Sequence, residues 1–178
     1  QSGHIEKVGY DMYTKLLKEA VSELKGNTIK EKRDCKIDVN LNCFISKDYI
    51  ESDEVRIKCY EEISNVNSIK EKEELLQKFN DKYGKVENSI VNLINVALVK
   101  NLLLKLDAKR LVINNDNCFI EFYDKNDLVS DKINEITKNY KKVCQIKLNV
   151  APKLEFSFDD NVENKLKSLI NILTNNKK

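Results

Sequence analysis

The chain has 178 residues, with 31 Lys or Arg against 29 Asp or Glu, so its net charge is only +2. That balance excludes a strongly basic nucleic-acid wrapper and an acidic tail protein, and leaves room for a local basic patch. Four Gly, one Pro and one His exclude a turn-dense β sandwich, glycine-built phosphate loops and a His-rich metal site.

In chain order, Ile5, Val8, Met12, Leu16, Leu17, Ala20, Val21 and Leu24 recur at three-and-four spacing and predict an amphipathic helix. Gly26 and Asn27 cap it, and the charged stretch from Thr28 to Asp34 reads as a loop. Ile37, Val39 and Leu41 alternate with polar residues, which predicts a half-buried strand running on through Cys43 to Ile45. Ser52 before Asp53 and Glu54 starts a helix whose inner face is Val55, Cys59, Ile63 and Val66, with Tyr60 alongside. Ser68 and Glu71 fit a capping box for a second helix, which turns Leu75, Leu76, Phe79 and Tyr83 inward and stops at Gly84.

A third helix, from about Glu87 to Leu106, is apolar nearly all round and is expected to be the buried spine of the fold. Asn92, Asn95, Lys100, Asn101 and Lys105 interrupt it, so it does not read as a membrane span. Beyond Ala108 the period changes. Arg110 to Ile113 and Cys118 to Tyr123 predict strands joined by a turn at residues 114–117. Val129, Ile133, Ile136 and Tyr140 line a short helix. Val143 to Val150 and Leu154 to Phe158 form a second strand pair around Ala151-Pro152. Val162, Leu166, Leu169, Ile170 and Leu173 define a closing helix, and residues 175–178 are expected to fray. The fold class is therefore α+β: an antiparallel sheet packed against several helices, with a long N-terminal helix and a buried central one.

Little chemistry is visible. The five cysteines lack C-x-x-C pairs and read as reduced intracellular thiols used as small hydrophobes, with no structural zinc. His4 reads as a hinge residue in preference to a ligand or base. The acidic pairs Glu61-Glu62 and Glu73-Glu74 read as solvated faces, and Asp159-Asp160 as a helix start. No phosphate-loop, dinucleotide or nucleophile-elbow motif occurs, so no catalytic residue, cofactor site or metal site is assigned and the chain is expected not to be an enzyme. From Lys138 onward lysines outnumber acids: Lys138, Lys141, Lys142, Lys147, Lys153, Lys165, Lys167, Lys177 and Lys178 against four carboxylates. Such an excess fits weak contact with a nucleic-acid backbone, but three Arg and no Trp argue against sequence-specific reading. The first residue is Gln1, which reads as a fragment or processed product of a longer polypeptide. No secretory signal or membrane segment is visible, so a cytoplasmic location is expected.

Three stretches carry a resemblance. Residues 1–13, Gln-Ser-Gly-His-Ile-Glu-Lys-Val-Gly-Tyr-Asp-Met-Tyr, lead into Lys15-Leu16-Leu17. Asp48-Tyr49-Ile50 is followed by Arg56, Tyr60 and Ile63, and Asp81-Lys82-Tyr83-Gly84 by a long apolar helix. Together they resemble the C-terminal domain family of the bacterial transcription-repair coupling factor (the Mfd family), the first being similar to its junction with the DNA motor. The chain departs from the family pattern in having Glu51-Ser52 and Val86-Glu87 where Pro is usual, Lys82 in place of Arg, and Lys78 where acids prevail.

The resemblance implies a role in transcription-coupled nucleotide excision repair. The parent would be an ATP-dependent DNA translocase that meets stalled RNA polymerase, UvrA and duplex DNA. Residues 1–30 would be the junction and linking helix from the upstream motor, and 31–178 the C-terminal regulatory domain. That domain would pack against the N-terminal UvrA-binding module of the same protein and mask it until the motor engages, using Asp81 and Lys82, with Lys78 one turn earlier. The alternative is an accessory domain that contacts the DNA backbone through the lysines after Lys138 and assists the motor.

Overall fold

The computed structural model describes residues 33–175. The helix expected over Ile5–Leu24 with its cap, the junction stretch, His4, Lys177 and Lys178 lie outside the described residues. The architecture is α+β, with β1 (Lys36–Val39), α1 (Asp53–Ser64), α2 (Ile69–Tyr83), α3 (Asn88–Leu104), β2 (Ala108–Ile113) and β3 (Cys118–Phe122) in chain order. A 3-10 turn (Lys125–Leu128), α4 (Asp131–Asn139), β4 (Cys144–Lys147), β5 (Lys153–Phe156) and α5 (Val162–Thr174) complete it. The described residues fall into two compact units, 42–98 and 33–41 with 99–175, the boundary lying inside α3 after Leu98.

The first unit is helical, and its helices start and stop where side chains can satisfy free backbone groups. Ser52 Oγ accepts from Val55 N–H at 3.3 Å to open α1. Ser68 Oγ accepts from Glu71 N–H at 3.1 Å to open α2. The return arm of the expected capping box reaches one residue further back, because Glu71 Oε2 accepts from Asn67 N–H at 2.6 Å. Gly84 ends α2 at φ 91° and ψ −172°, a backbone that side-chain-bearing residues rarely adopt. Cys59, Tyr60, Ile63, Phe79, Ile90, Leu93 and Ile94 supply the interior of this unit.

Helix α3 is buried around most of its circumference, as its all-round apolarity predicts, and it takes polar residues inside with it. Asn95 keeps 1% of its surface, and both its side-chain polar atoms lack a hydrogen-bond partner. Lys100, at 6% exposure, lies 3.7 Å from the Asp34 carboxylate. Asp107 takes φ 56° as the chain leaves the helix, a left-handed position that Asp tolerates better than branched residues.

The second unit is built on a five-stranded sheet of order β1-β2-β3-β5-β4. The four strands after α3 pair antiparallel as expected, but β1 pairs parallel with β2, so the sheet is mixed. β1 is also shorter than its alternation predicts. Asn40 N–H still reaches Ile113 C=O at 3.1 Å, but Leu41 N–H turns back to Val39 C=O at 2.9 Å and ends the strand. Leu111, Ile120, Leu154 and Phe156 line the buried face, beneath which α5 buries Leu166, Leu169, Ile170 and Leu173. On the other face Arg110 pairs with Glu121 at 3.2 Å, and the Lys153 ammonium lies 4.6 Å from the Phe119 ring centre.

Lys165, one of the lysines in the late basic excess, is withdrawn from solvent to 3% exposure. Its ammonium donates to Asn114 C=O at 3.0 Å and Asn115 C=O at 2.7 Å, closing the β2–β3 turn. Lys167 is matched by Glu163 at 3.6 Å.

Candidate functional site

The second and third motif stretches meet in the first unit, around one tyrosine. Tyr49 Oη lies 3.1 Å from Phe79 C=O and 2.9 Å from Gly84 C=O, sharing its proton between the last carbonyls of α2. Burial first, and the Glu87 charge second, push its hydroxyl pKa up, so it stays a donor. The Tyr49 ring meets Tyr83 edge-on at 5.9 Å, and Tyr83 meets Phe79 at 6.1 Å. Ser46 Oγ donates to the Glu87 carboxylate, at 3.1 and 3.0 Å from its two oxygens, and accepts from Tyr49 N–H at 3.1 Å.

Arg56 donates to Ile50 C=O at 2.9 Å and Glu51 C=O at 3.1 Å and pairs with Asp53. Tyr60 Oη accepts from Ile45 N–H at 2.9 Å in the interior. Tyr49, Arg56 and Tyr60 are thus used to fix the 45–51 loop on α1 and α2, Ile63 is buried in the interior, and Tyr83 and Gly84 end α2 against that loop. Asp81 and Lys82 have no such task.

Both are exposed on the last turn of α2. Asp81 Oδ1 accepts from Gln77 Nε2 at 2.8 Å, a helix-surface pair that leaves its charge facing water. The Lys82 ammonium rests 5.4 Å from the Tyr83 ring centre. Lys78 is also on the surface, but its charge is met inside the unit: Nζ lies 2.7 Å from Glu62 Oε2 of α1. That hydrogen bond is the leading reason its pKa is raised. Three-and-four spacing puts Glu71, Glu74, Lys78, Asp81 and Lys82 along one face of α2.

Beside that face is an open groove with Val66 and Leu75 as its floor and Glu62, Glu71 and Glu74 on its rim. In the sequence Glu62 and Glu74 read as solvated surface and Glu71 as the arm of a capping box. Glu74 is recoverable from its spacing to Lys78, whereas Glu62 enters only through the packing of α1 on α2. The arrangement suits docking of a polar, basic surface. Among the described residues no group of three His, Cys, Asp or Glu could hold a metal ion. Burial pushes the Cys118 thiol up to about 12 and Cys144 to about 11, so neither is a nucleophile near neutral pH. No helix among the described residues is long and apolar enough to cross a membrane.

Comparison with known proteins bears out the family resemblance. Residues 39–133 match the TRCF domain family. The chain is 38% identical over 101 residues to the transcription-repair-coupling factor of Bacillus subtilis, covering 56% of this chain and 9% of that protein. It is 30% identical over 182 residues to that of Buchnera aphidicola subsp. Acyrthosiphon pisum, covering 98% of this chain and 22% of the relative. The chain thus spans between about a tenth and a quarter of the length of these relatives. A crystal structure of the C-terminal domain of a transcription-repair coupling factor superposes with a TM-score of 0.63 at 18% identity, over 83% of this chain and 93% of that one. The chain belongs to the TRCF domain family, that of the C-terminal domain of bacterial transcription-repair coupling factors.

Proposed function

We infer that the chain is a regulatory domain of a DNA-repair translocase and works by occlusion, without catalysis. It covers the UvrA-binding module at the N-terminus of the same protein and releases it when the motor engages stalled RNA polymerase. The observation that carries this reading is the division of labour within the third motif. Tyr83 and Gly84 are used inside the unit, whereas Asp81, which matches the motif, and Lys82, which keeps the charge of its usual Arg, face solvent with opposite charges side by side. The neighbouring acidic rim extends the surface toward Glu74 and Glu62.

A cover of this kind has to be weak enough to lift. Moving it from mostly closed to mostly open takes about 5 kcal/mol of differential binding. A small, polar, charge-matched contact between domains fits that scale better than an apolar one. Lys78, already paired to Glu62, has the smaller part.

The rival reading, a DNA-backbone contact through the later lysines, loses Lys165 to the interior and part of Lys167 to Glu163. Titrating the chain against the isolated UvrA-binding module and against duplex DNA, each at low and high salt, separates the two. Binding to the module with none to DNA supports the cover. Duplex binding that falls steeply with salt, with none to the module, overturns it.

A further inference from the structure

Among the described residues the sheet of the second unit ends on an open edge, and β4 pairs with β5 on one side only. Ser157 N–H donates to Val143 C=O at 2.8 Å, and bonded pairs alternate along an antiparallel ladder. Gln145 with Glu155 and Lys147 with Lys153 are therefore the bonded pairs, while Cys144 and Ile146 direct their backbone groups away from β5. Tyr140 C=O takes the Cys144 N–H at 2.8 Å. The Cys144 C=O and both backbone groups of Ile146 have no hydrogen-bond partner among the described residues.

Open edges are commonly blunted by shortness and by lysine, and β4 has both. The apolar residues along this edge and just past it do the opposite: Ile146 is 42% exposed, Leu148 58% and Val150 98%. The charge along this stretch of chain is one-signed, for residues 138–153 contain five lysines and no acid. Across the sheet, Glu155 of β5 stands opposite Gln145, and Glu121 of β3, paired with Arg110, stands opposite Lys153. Lys147 stands directly opposite Lys153, a like-charge pair that an incoming anion would relieve.

We propose that the β4 edge takes an acidic, extended segment of another polypeptide as a sixth strand. Its main chain bonds to Ile146 N–H and C=O and to Cys144 C=O. Directly opposed residues share a face of the sheet. The residue opposite Ile146 is therefore apolar and extends the buried face, and its neighbours, on the face of Lys147, are Asp or Glu. A second copy of this chain fits poorly, since edge-to-edge pairing would set the lysines of one copy against those of the other. Nucleic acid would use the lysines but leave Ile146, Leu148 and Val150 in water. The site is on residues other than Asp81 and its neighbours and does not rest on the masking reading.

The test is fluorescence anisotropy of the 178-residue chain with a labelled peptide that alternates glutamate with valine and isoleucine over about seven residues. Saturable binding is expected. Ile146→Pro removes an outward N–H and no bond to β5, and is expected to weaken binding by about tenfold or more. Lys147→Glu weakens it several-fold, and a proline at the centre of the peptide abolishes it. Circular dichroism establishes that Ile146→Pro folds; where it does not, the other two comparisons decide. Unchanged affinity in Lys147→Glu and for the proline-interrupted peptide overturns the proposal. Binding of duplex DNA with none of the peptide overturns it too.

Discussion

Tyr60→Phe removes a buried hydrogen-bond acceptor. The Tyr60 hydroxyl accepts from Ile45 N–H at 2.9 Å, where Ile45 is 1% and Tyr60 5% exposed. Removing the oxygen deprives a backbone donor of its acceptor in a place water does not reach, which costs about 1–3 kcal/mol. For a chain of this size about 2 kcal/mol lowers Tm by about 4–8 °C. Tyr49→Phe deletes the same atom in a half-buried setting. There the acceptors lie at the end of a helix and one belongs to exposed Gly84, so water substitutes and the cost is under about 1 kcal/mol. Urea melts of the two variants give the comparison, and hydrogen exchange at the Ile45 amide localises it. The reasoning fails if Tyr60→Phe is as stable as the parent chain, or if Tyr49→Phe is the costlier change.

Other outcomes rest on single features. Gly84→Ala is expected to cost about 1–3 kcal/mol in a denaturant melt although the added carbon meets nothing within 4 Å, because φ 91° with ψ −172° is the whole objection. Lys165→Met removes two charge-assisted bonds to the β2–β3 turn and should lose about 1.5–3 kcal/mol, with faster amide exchange at residues 114–117. Cys118 and Cys144 give a pH dependence at the alkaline end. Burial raises Cys118 from 9.0 to about 12 in the fold, and Cys144 to about 11, so the unfolded thiols ionise first. Their contribution is full below pH 9 and falls as pH rises toward the folded values, by up to about 1.4 kcal/mol per unit for each thiol. Melts of Cys118→Ala between pH 8 and 11 should show a shallower alkaline decline than the parent.

Local chemistry was the readable part of the fold. Ser52, Ser68 and Gly84 bound their helices because each boundary needs a side-chain acceptor or a permissive backbone at one position. The β2–β3 turn comes from Asn114 to Asn117 in the same way, with Asn114 Oδ1 accepting from Asn117 N–H at 2.7 Å. What sequence could not supply was long-range pairing. β1 finds its parallel partner only after three intervening helices, and Ile45 continues an apolar alternation although it is buried against the Tyr60 hydroxyl and not in a strand. Lys165 shows the same limit at the level of charge, for nothing in its neighbours along the chain says that a turn fifty residues earlier takes its ammonium. Asp81 and Lys82 were legible through the motif, but Glu62 joins their surface by tertiary packing alone.

The central claim is that this domain covers its partner module through the end of α2. Asp81 is the acidic residue whose charge the unit leaves facing solvent there. Calorimetric titration of the Asp81→Lys chain against the isolated UvrA-binding module, beside the parent chain, tests this most directly. Binding weaker by about tenfold with an unaltered circular dichroism spectrum is the predicted result. Equal affinity in the two chains would contradict it.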